Sequence, residues 1–318
     1  EFEPMRQVRY LVAAQGEISA SSLIMSIESP TEGALFVRFQ YDDGFTIERY
    51  QATGGYQALR AALGRTPGEV HEEVKAANVL GRGGAGFPAG TKWGLMPAGK
   101  FPRYLVVNGD ESEPGTYKDR LLMERDPHQL IEGCLIAAYA AGLAQVFLYI
   151  RGEMPLAHER VGQALNEAYA AGLVGKNILG SEFSVDIVLH WGAGAYVVGE
   201  ETALIESLEG KRGEPRLKPP FFPAAIGLYG QPTIVNNVET LSNLPWLIAN
   251  GAAAYTAIGT ATSPGTRMVA VSGHVNRPGV YEIINGTTTF RDLFYGDEFC
   301  QGIRNGNELK AFVPGGGS

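Results

Sequence analysis

The sequence predicts an α/β fold with a largely parallel sheet, followed by a smaller α+β module. Between Val79 and Ala249 short apolar runs alternate with amphipathic segments of helical period, the pattern of a parallel sheet covered by helices. Residues 250–265, rich in Ala, Thr, Gly and Ser, interrupt that alternation. Beyond them, 268–283 reads as a hairpin and 289–294 as a short helix. The expected organisation is a poorly assigned N-terminal segment (1–53), an α/β domain (54–250), a linker (251–265) and the second module (266–318), whose end reads as truncated.

In chain order, residues 34–50 read as two short strands around Asp42-Asp43-Gly44, because Asp-Gly between apolar alternations is a hairpin signal. A helix over 56–63 follows the Gly54-Gly55 hinge, and another over 67–77 has proline in its opening turn. Strands are expected at 104–108, 146–150 and 184–190, and helices at 128–141, 155–171 and 196–208. Asn236-Asn237 should open a helix through Leu247, one asparagine capping it and the other keeping its amide for a ligand. In the last module the hairpin turn contains Pro278-Gly279.

Composition removes whole classes. The 26 basic and 34 acidic residues leave a net charge of -8, the wrong sign for gripping a nucleic-acid backbone or an anionic membrane surface. The longest apolar stretch, 135–150, is broken by Gly142 and Gln145 and is shorter than the ~20 residues of a membrane helix. Two cysteines, Cys134 and Cys300, cannot by themselves build a disulfide framework, a four-thiolate zinc site or an iron–sulfur cluster, and a reducing, cytosolic setting fits them. No metal site is expected. The 42 glycines, about 13% of the chain where about 7% is usual, require many sharp turns or close backbone approaches. A start at Glu1 without methionine and an end in Gly315-Gly316-Gly317-Ser318 read as incomplete termini.

Two glycine loops and an acidic loop carry the chemistry. Gly81-Arg82-Gly83-Gly84-Ala85-Gly86 has dinucleotide-fingerprint spacing, but a helical pattern precedes it and Pro88 follows, so the ordinary strand–loop–helix context is missing. Small residues there let backbone amides approach an anion, with Arg82 and Lys92 beside them. Strand 104–108 runs into Gly109-Asp110-Glu111-Ser112-Glu113-Pro114-Gly115, where ligands of open α/β sheets bind. Its carboxylates read either as acceptors for ribose or flavin hydroxyls or as a solvated charge run. Strand 184–190 leads into the second loop, 191–202, in which Glu200 and Glu201 also read as first-turn helix charges. The arm 215–223 presents Lys218 and a phenylalanine, for a base or as an apolar clamp. The five histidines are scattered outside these loops.

Four stretches together, GRGGAGFPAGTKW (81–93), VNGDESEPGTYKDR (107–120), GAGAYVVGEETALIESLEGKRGEPRLKPPF (192–221) and PTIVNNVETLSNLP (232–245), resemble the NADH-binding flavoprotein subunit of respiratory complex I. They are also similar to diaphorase subunits of NAD-reducing hydrogenases and of NAD-dependent formate dehydrogenases. The resemblance runs from about Gly54 to the end. It implies an atypical Rossmann-like domain holding FMN under NADH, then a β-grasp-like module. The implied function is hydride transfer from NADH to FMN and onward single-electron transfer to iron–sulfur clusters toward quinone, or the corresponding diaphorase reaction. Implied partners are a thioredoxin-like [2Fe–2S] small subunit and a large iron–sulfur subunit, in a peripheral arm on the cytoplasmic face. From the same resemblance, the family's C-terminal helical domain, with its four-cysteine [4Fe–4S] cluster, is expected to be missing from this chain.

Carried over by position, Gly81, Arg82, Gly83, Lys92, Asn108, Asp110, Glu111, Tyr196, Gly199, Glu200, Asn236 and Asn237 match the FMN side. Gly84, Phe87, Glu113, Glu201, Lys218 and Phe221 match the NADH side, with Glu201 orienting the nicotinamide and Phe221 preferred over Phe222 for stacking on adenine. The resemblance supplies no protein acid or base, since the reaction is centred on the flavin. Carboxylates at Glu113 and Glu201 would disfavour the 2′-phosphate of NADPH.

Overall fold

The computed structural model describes residues 34–315 and the backbone of β1 (Ile24–Met25). Three helices lead in: α1 (Ile47–Ala52), α2 (Gln57–Leu63) and α3 (Pro67–Ala76), the last closed by a capping box between Thr66 and Glu69. The expected hairpin at 34–50 is absent. Its first half is a chain of tight turns (Phe39 N→Phe36 O, Tyr41 N→Arg38 O, Gly44 N→Tyr41 O), and Thr46 then caps α1. Leu35 and Phe36 are buried in the core and their amides are taken by Glu282, so an alternating pattern is satisfied here without a partner strand.

After α4 (Ala89–Trp93), the main sheet is built from β2 (Tyr104–Gly109), β3 (Gln145–Ile150), β4 (Asp186–Trp191) and β5 (Thr233–Asn237). All pairings are parallel and the order is β4-β3-β2-β5. Alternation along β2 makes two faces. Leu105 and Val107 pack with α6 (Pro127–Ala141) and its neighbours, whereas Val106 joins Tyr149, Val235 and residues of α8 (Glu201–Leu208). Helices α5 (Lys118–Arg125) and α7 (Pro155–Ala170) complete the layers.

Two expected helices are divided. The 196–208 segment is a 3-10 turn at Tyr196–Gly199 followed by α8, because Glu200 adopts an extended conformation and takes the amides of Thr202 and Ala203 with its own carboxylate. The segment after Asn237 is α9 (Val238–Ser242) and α10 (Leu244–Asn250), interrupted at Asn243 with Pro245 in the new first turn. Strand β5, where the sequence pattern suggests only the approach to a helix, supplies the fourth strand.

Residues 251–265 contain α11 (Ala252–Thr256), whose Tyr255 is buried, and a ribbon of β6 (Gly259–Thr260) and β7 (Ser263–Pro264). Antiparallel strands β8 (Thr266–Val271) and β9 (Gly279–Ile284) follow, with β1 parallel to β9 and α12 (Phe290–Tyr295) beyond. Gly279 is the first residue of β9 rather than part of the turn, paired with Val271. Cys134 and Cys300 are both buried free thiols, and burial raises both, Cys300 to about 11. Among the described residues no helix is long and apolar enough to cross a membrane.

Candidate functional site

Strand β2 is joined onward to β3 on one side, while β5 arrives on its other side, so the strand order reverses between β2 and β5. At such a point the connections diverge and leave a crevice beyond the carboxyl ends of the strands. Asn108 and Asn237 are register partners side by side at the carboxyl ends of β2 and β5. The acidic loop leaves β2 here and the second glycine loop leaves β4 at the same end of the sheet.

The first glycine loop comes in from α3 through an isolated bridge, Leu80 to Pro88, rather than from a strand. It is closed at its neck by Gly81 N→Phe87 O (3.0 Å) and fastened to α9 by Arg82 N→Thr240 Oγ1 (2.8 Å). Beyond these two anchors the amides of Gly83, Gly84, Ala85 and Gly86 make no hydrogen bond of ordinary geometry among the described residues. Gly84 has φ +116, which a side chain would strain, and open space lies where its Cβ would be. A Cβ on Gly83 would stand 3.2 Å from that of Asn237, so the loop backbone lies directly against the end of β5.

One of the two asparagines is a helix cap, as expected, and the structure shows which. Asn237 caps α9 through Oδ1, accepting from Glu239 N (3.0 Å) and Thr240 N (3.3 Å), and donates Nδ2 to Asp119 (2.6 Å). Asn236 accepts from Trp93 Nε1 (2.9 Å), and its Nδ2 donates to no described residue. Asn108 ties two loops together, donating to Gly199 O (2.9 Å) and accepting from Asp110 N (3.1 Å).

The three acidic-loop carboxylates have different surroundings. Asp110 is partly buried, which raises its carboxyl, and it accepts from Ser112 at 2.5 Å. Glu111 turns inward and accepts from the amides of Lys118, Asp119 and Arg120, each at 3.0 Å, so it caps α5; burial pushes it up to about 7. Glu113 accepts from Tyr196 (2.6 Å), linking the acidic loop to the second glycine loop.

A charged cluster crosses from α4 to the proline arm. Lys218 Nζ lies 2.8 Å from Glu200 Oε1 and 3.0 Å from Glu201 Oε1, while Lys92 lies 3.5 Å from Glu201 Oε2 and donates to Val235 O (3.1 Å). Burial alone would raise Glu200, but Lys218 and the capping amides outweigh it and lower its carboxyl. Arg82 departs from the expectation of a cation flanking the loop: its side chain is turned away into the protein. Phe87, Phe221 and Phe222 are exposed by 43, 39 and 53%. Phe221 also lines an open cleft of about 530 Å³ with Glu206, Arg216, Leu217 and Tyr229, which includes no residue of either glycine loop.

Sequence reasoning overlooked a buried layer behind the loops. Lys118 Nζ lies 2.8 Å from Asp119 Oδ1 and 2.7 Å from Glu239 Oε2, the latter paired by charge though not aligned as a hydrogen bond. These residues sit inside the motifs TYKDR and NNVET, yet charges next to loops are ordinarily solvated, and nothing in the one-dimensional pattern marks them as buried.

Residues 74–246 match the family described as the Nuo51 FMN-binding domain. An NADH-quinone oxidoreductase subunit of Rhizobium meliloti (strain 1021) is 51% identical over 288 residues, 90% of this chain and 67% of the relative. The corresponding NADH-quinone oxidoreductase subunit of Aquifex aeolicus (strain VF5) is 49% identical over 270 residues, 85% of this chain and 62% of the relative. Against these two the chain therefore spans about two thirds of the relatives' length. Among solved structures, an NAD+-reducing [NiFe]-hydrogenase in the air-oxidized state superposes with TM-score 0.70 at 33% identity, over 92% of this chain and 48% of that one. The same kind of enzyme in the H2-reduced state gives 0.65 at 41% identity, over 75% and 40%.

Proposed function

This chain belongs to the Nuo51 FMN-binding family, and from that premise we propose that it is the NADH-oxidising module of an NADH-quinone oxidoreductase. The observation that carries the reading is the run of free amides at Gly83–Gly86 set against the β2–β5 crevice. The residues present fit FMN. Those amides and Lys92 suit a phosphate, the free Nδ2 of Asn236 suits a carbonyl or hydroxyl oxygen, and Asp110 and Glu113 supply acceptors for hydroxyl groups.

When bound, FMN would accept hydride from NADH and pass electrons on singly to iron–sulfur clusters. The chain's own contribution is position and field rather than a protein acid or base. Asn108 and the Tyr196–Glu113 contact hold the acidic and second glycine loops together as walls of the crevice. Gly81, Gly83 and Gly199 let the loops pack closely against Phe87, Asn237 and Asp110 beside the site, and Asn237 holds the β5 end in place by capping α9. Glu111 fixes the loop by capping α5. Glu200, held by Lys218, is assigned to the flavin side, and Glu201, held by Lys92 and Lys218, to the nicotinamide nucleotide, with Phe87 and Phe221 toward its adenine. The partners proposed are a thioredoxin-like [2Fe–2S] subunit and a large iron–sulfur subunit, in a peripheral arm on the cytoplasmic face. A second reading, the diaphorase subunit of a soluble NAD-reducing hydrogenase, is favoured by the two structural neighbours.

Reconstitution with FMN tests the proposal. The expected product is yellow protein whose flavin band is bleached by NADH and much more slowly by NADPH. A protein that stays colourless after FMN treatment overturns it.

A further inference from the structure

Arg82 occupies an unusual position for the basic residue of an anion-binding loop. Its side chain is 1% exposed and leaves the loop altogether. One guanidinium nitrogen donates to Thr266 O (2.9 Å), Pro264 O (3.2 Å) and Tyr255 OH (3.3 Å), all in the segment that introduces the second module. Glu239 Oε1 lies 3.9 Å from Nε and itself accepts from Met268 N (2.8 Å) on β8. The main-chain amide of the same residue donates to the buried Thr240 on α9 (2.8 Å).

Arg82 is thus held at both ends by groups that belong to different elements. Immediately after it come the free amides of Gly83 to Gly86. A glycine run has no side chains with which to fix its own orientation, so its direction must be set at its first constrained residue. Buried charges are costly unless well paired, and Arg82 leaves Nε and Nη1 without hydrogen bonds, so this arrangement is poorly explained as a device for stability alone.

We propose that Arg82 is the anchor of the glycine loop rather than its anion ligand, and that Thr240 is a positioning residue that aims the Gly83–Gly86 amides at a nucleotide phosphate. The inference rests on the nucleotide-binding reading above and deepens it. The phosphate belongs either to the flavin nucleotide or to the diphosphate of the nicotinamide nucleotide, and the chemistry of the grip is the same for both.

Thr240→Val removes the acceptor for the Arg82 amide with almost no change in shape or charge. Thr240→Ser restores the acceptor and serves as the rescue. Affinities of wild type and variants are measured for FMN against riboflavin by flavin fluorescence, and for ADP-ribose against adenosine by calorimetry. If the valine variant does not fold, Thr240→Ala carries the same comparison. The expected result is a roughly tenfold loss for a phosphate-bearing ligand with its phosphate-free counterpart unchanged, and recovery in Thr240→Ser. Loss confined to FMN assigns the grip to the flavin phosphate, and loss confined to ADP-ribose assigns it to the diphosphate. Equal loss for all four ligands, or no loss, overturns the proposal. Failure of wild-type protein to bind FMN at all would instead count against the proposed function.

Discussion

Glu282 is fully buried on β9, where it accepts from Leu35 N, Phe36 N and, at 2.5 Å, from Thr266 Oγ1. Burial pushes its carboxyl up to about 7, with Glu239 adding to the rise, and Glu111 and Asp126 are raised by burial in the same way, to about 7 and about 6. An acid whose pKa is higher folded than unfolded binds more protons in the native state. Its stabilising contribution is therefore complete below the unfolded pKa and is lost as pH climbs through the folded one. The contribution of each such carboxyl should accordingly fall between about pH 4.5 and 7.5, by up to about 3 kcal/mol, against the opposite trend of His128, whose pKa burial lowers. Thr266 and Glu239 face Glu282, and the Leu35–Phe36 turn closes over it, so Glu282→Gln retains an acceptor while removing the titration. Thermal melts of wild type and Glu282→Gln across that pH range should show a shallower slope in the variant; parallel slopes would contradict this account.

Helices α6 and α9 cross at a point where only hydrogen fits on Cα. A Cβ on Gly133 would lie 2.1 Å from the carbonyl oxygen of Leu241 and 2.7 Å from its carbonyl carbon, and backbone cannot step aside as a flexible side chain can. Because α9 carries the Asn237 cap and Thr240, separating these helices would move part of the crevice as well as open the core. Gly133→Ala is expected to destabilise by about 3 kcal/mol or more despite the better helix propensity of alanine. Denaturant unfolding measures this, and a neutral or stabilising result would show that the crossing relaxes. The same element shows where one-dimensional reading fails. Near-continuous burial of α6 was legible from its apolar composition, whereas the contact at Gly133 depends on a helix more than a hundred residues away.

Across the whole molecule the α/β part and the β8–β9 sheet are joined by buried and half-buried polar contacts: Arg82 to β8, Met268 to Glu239, Tyr117 to Val271 O, and the Leu35–Phe36 turn to Glu282. Parts joined in this way should melt as one unit. Calorimetry should show a single main transition that FMN moves upward; at a hundred times its dissociation constant the gain is about 2.7 kcal/mol, a few degrees in Tm. Two separate transitions, with only the first responding to FMN, would mean that the modules are independent. The α/β class, the strands β2, β3 and β4, the three loops and the family were all legible in the amino-acid order, since apolar periodicity and ordered motifs are properties of neighbouring residues. It took the folded chain to establish that β5 completes the sheet, that Asn237 and not Asn236 is the cap, that Glu111 turns inward, and that Arg82 faces away from its own glycine loop. A short strand, a cap and a buried charge are each selected by partners distant in sequence, so competing local readings remain equal until the chain brings those partners together.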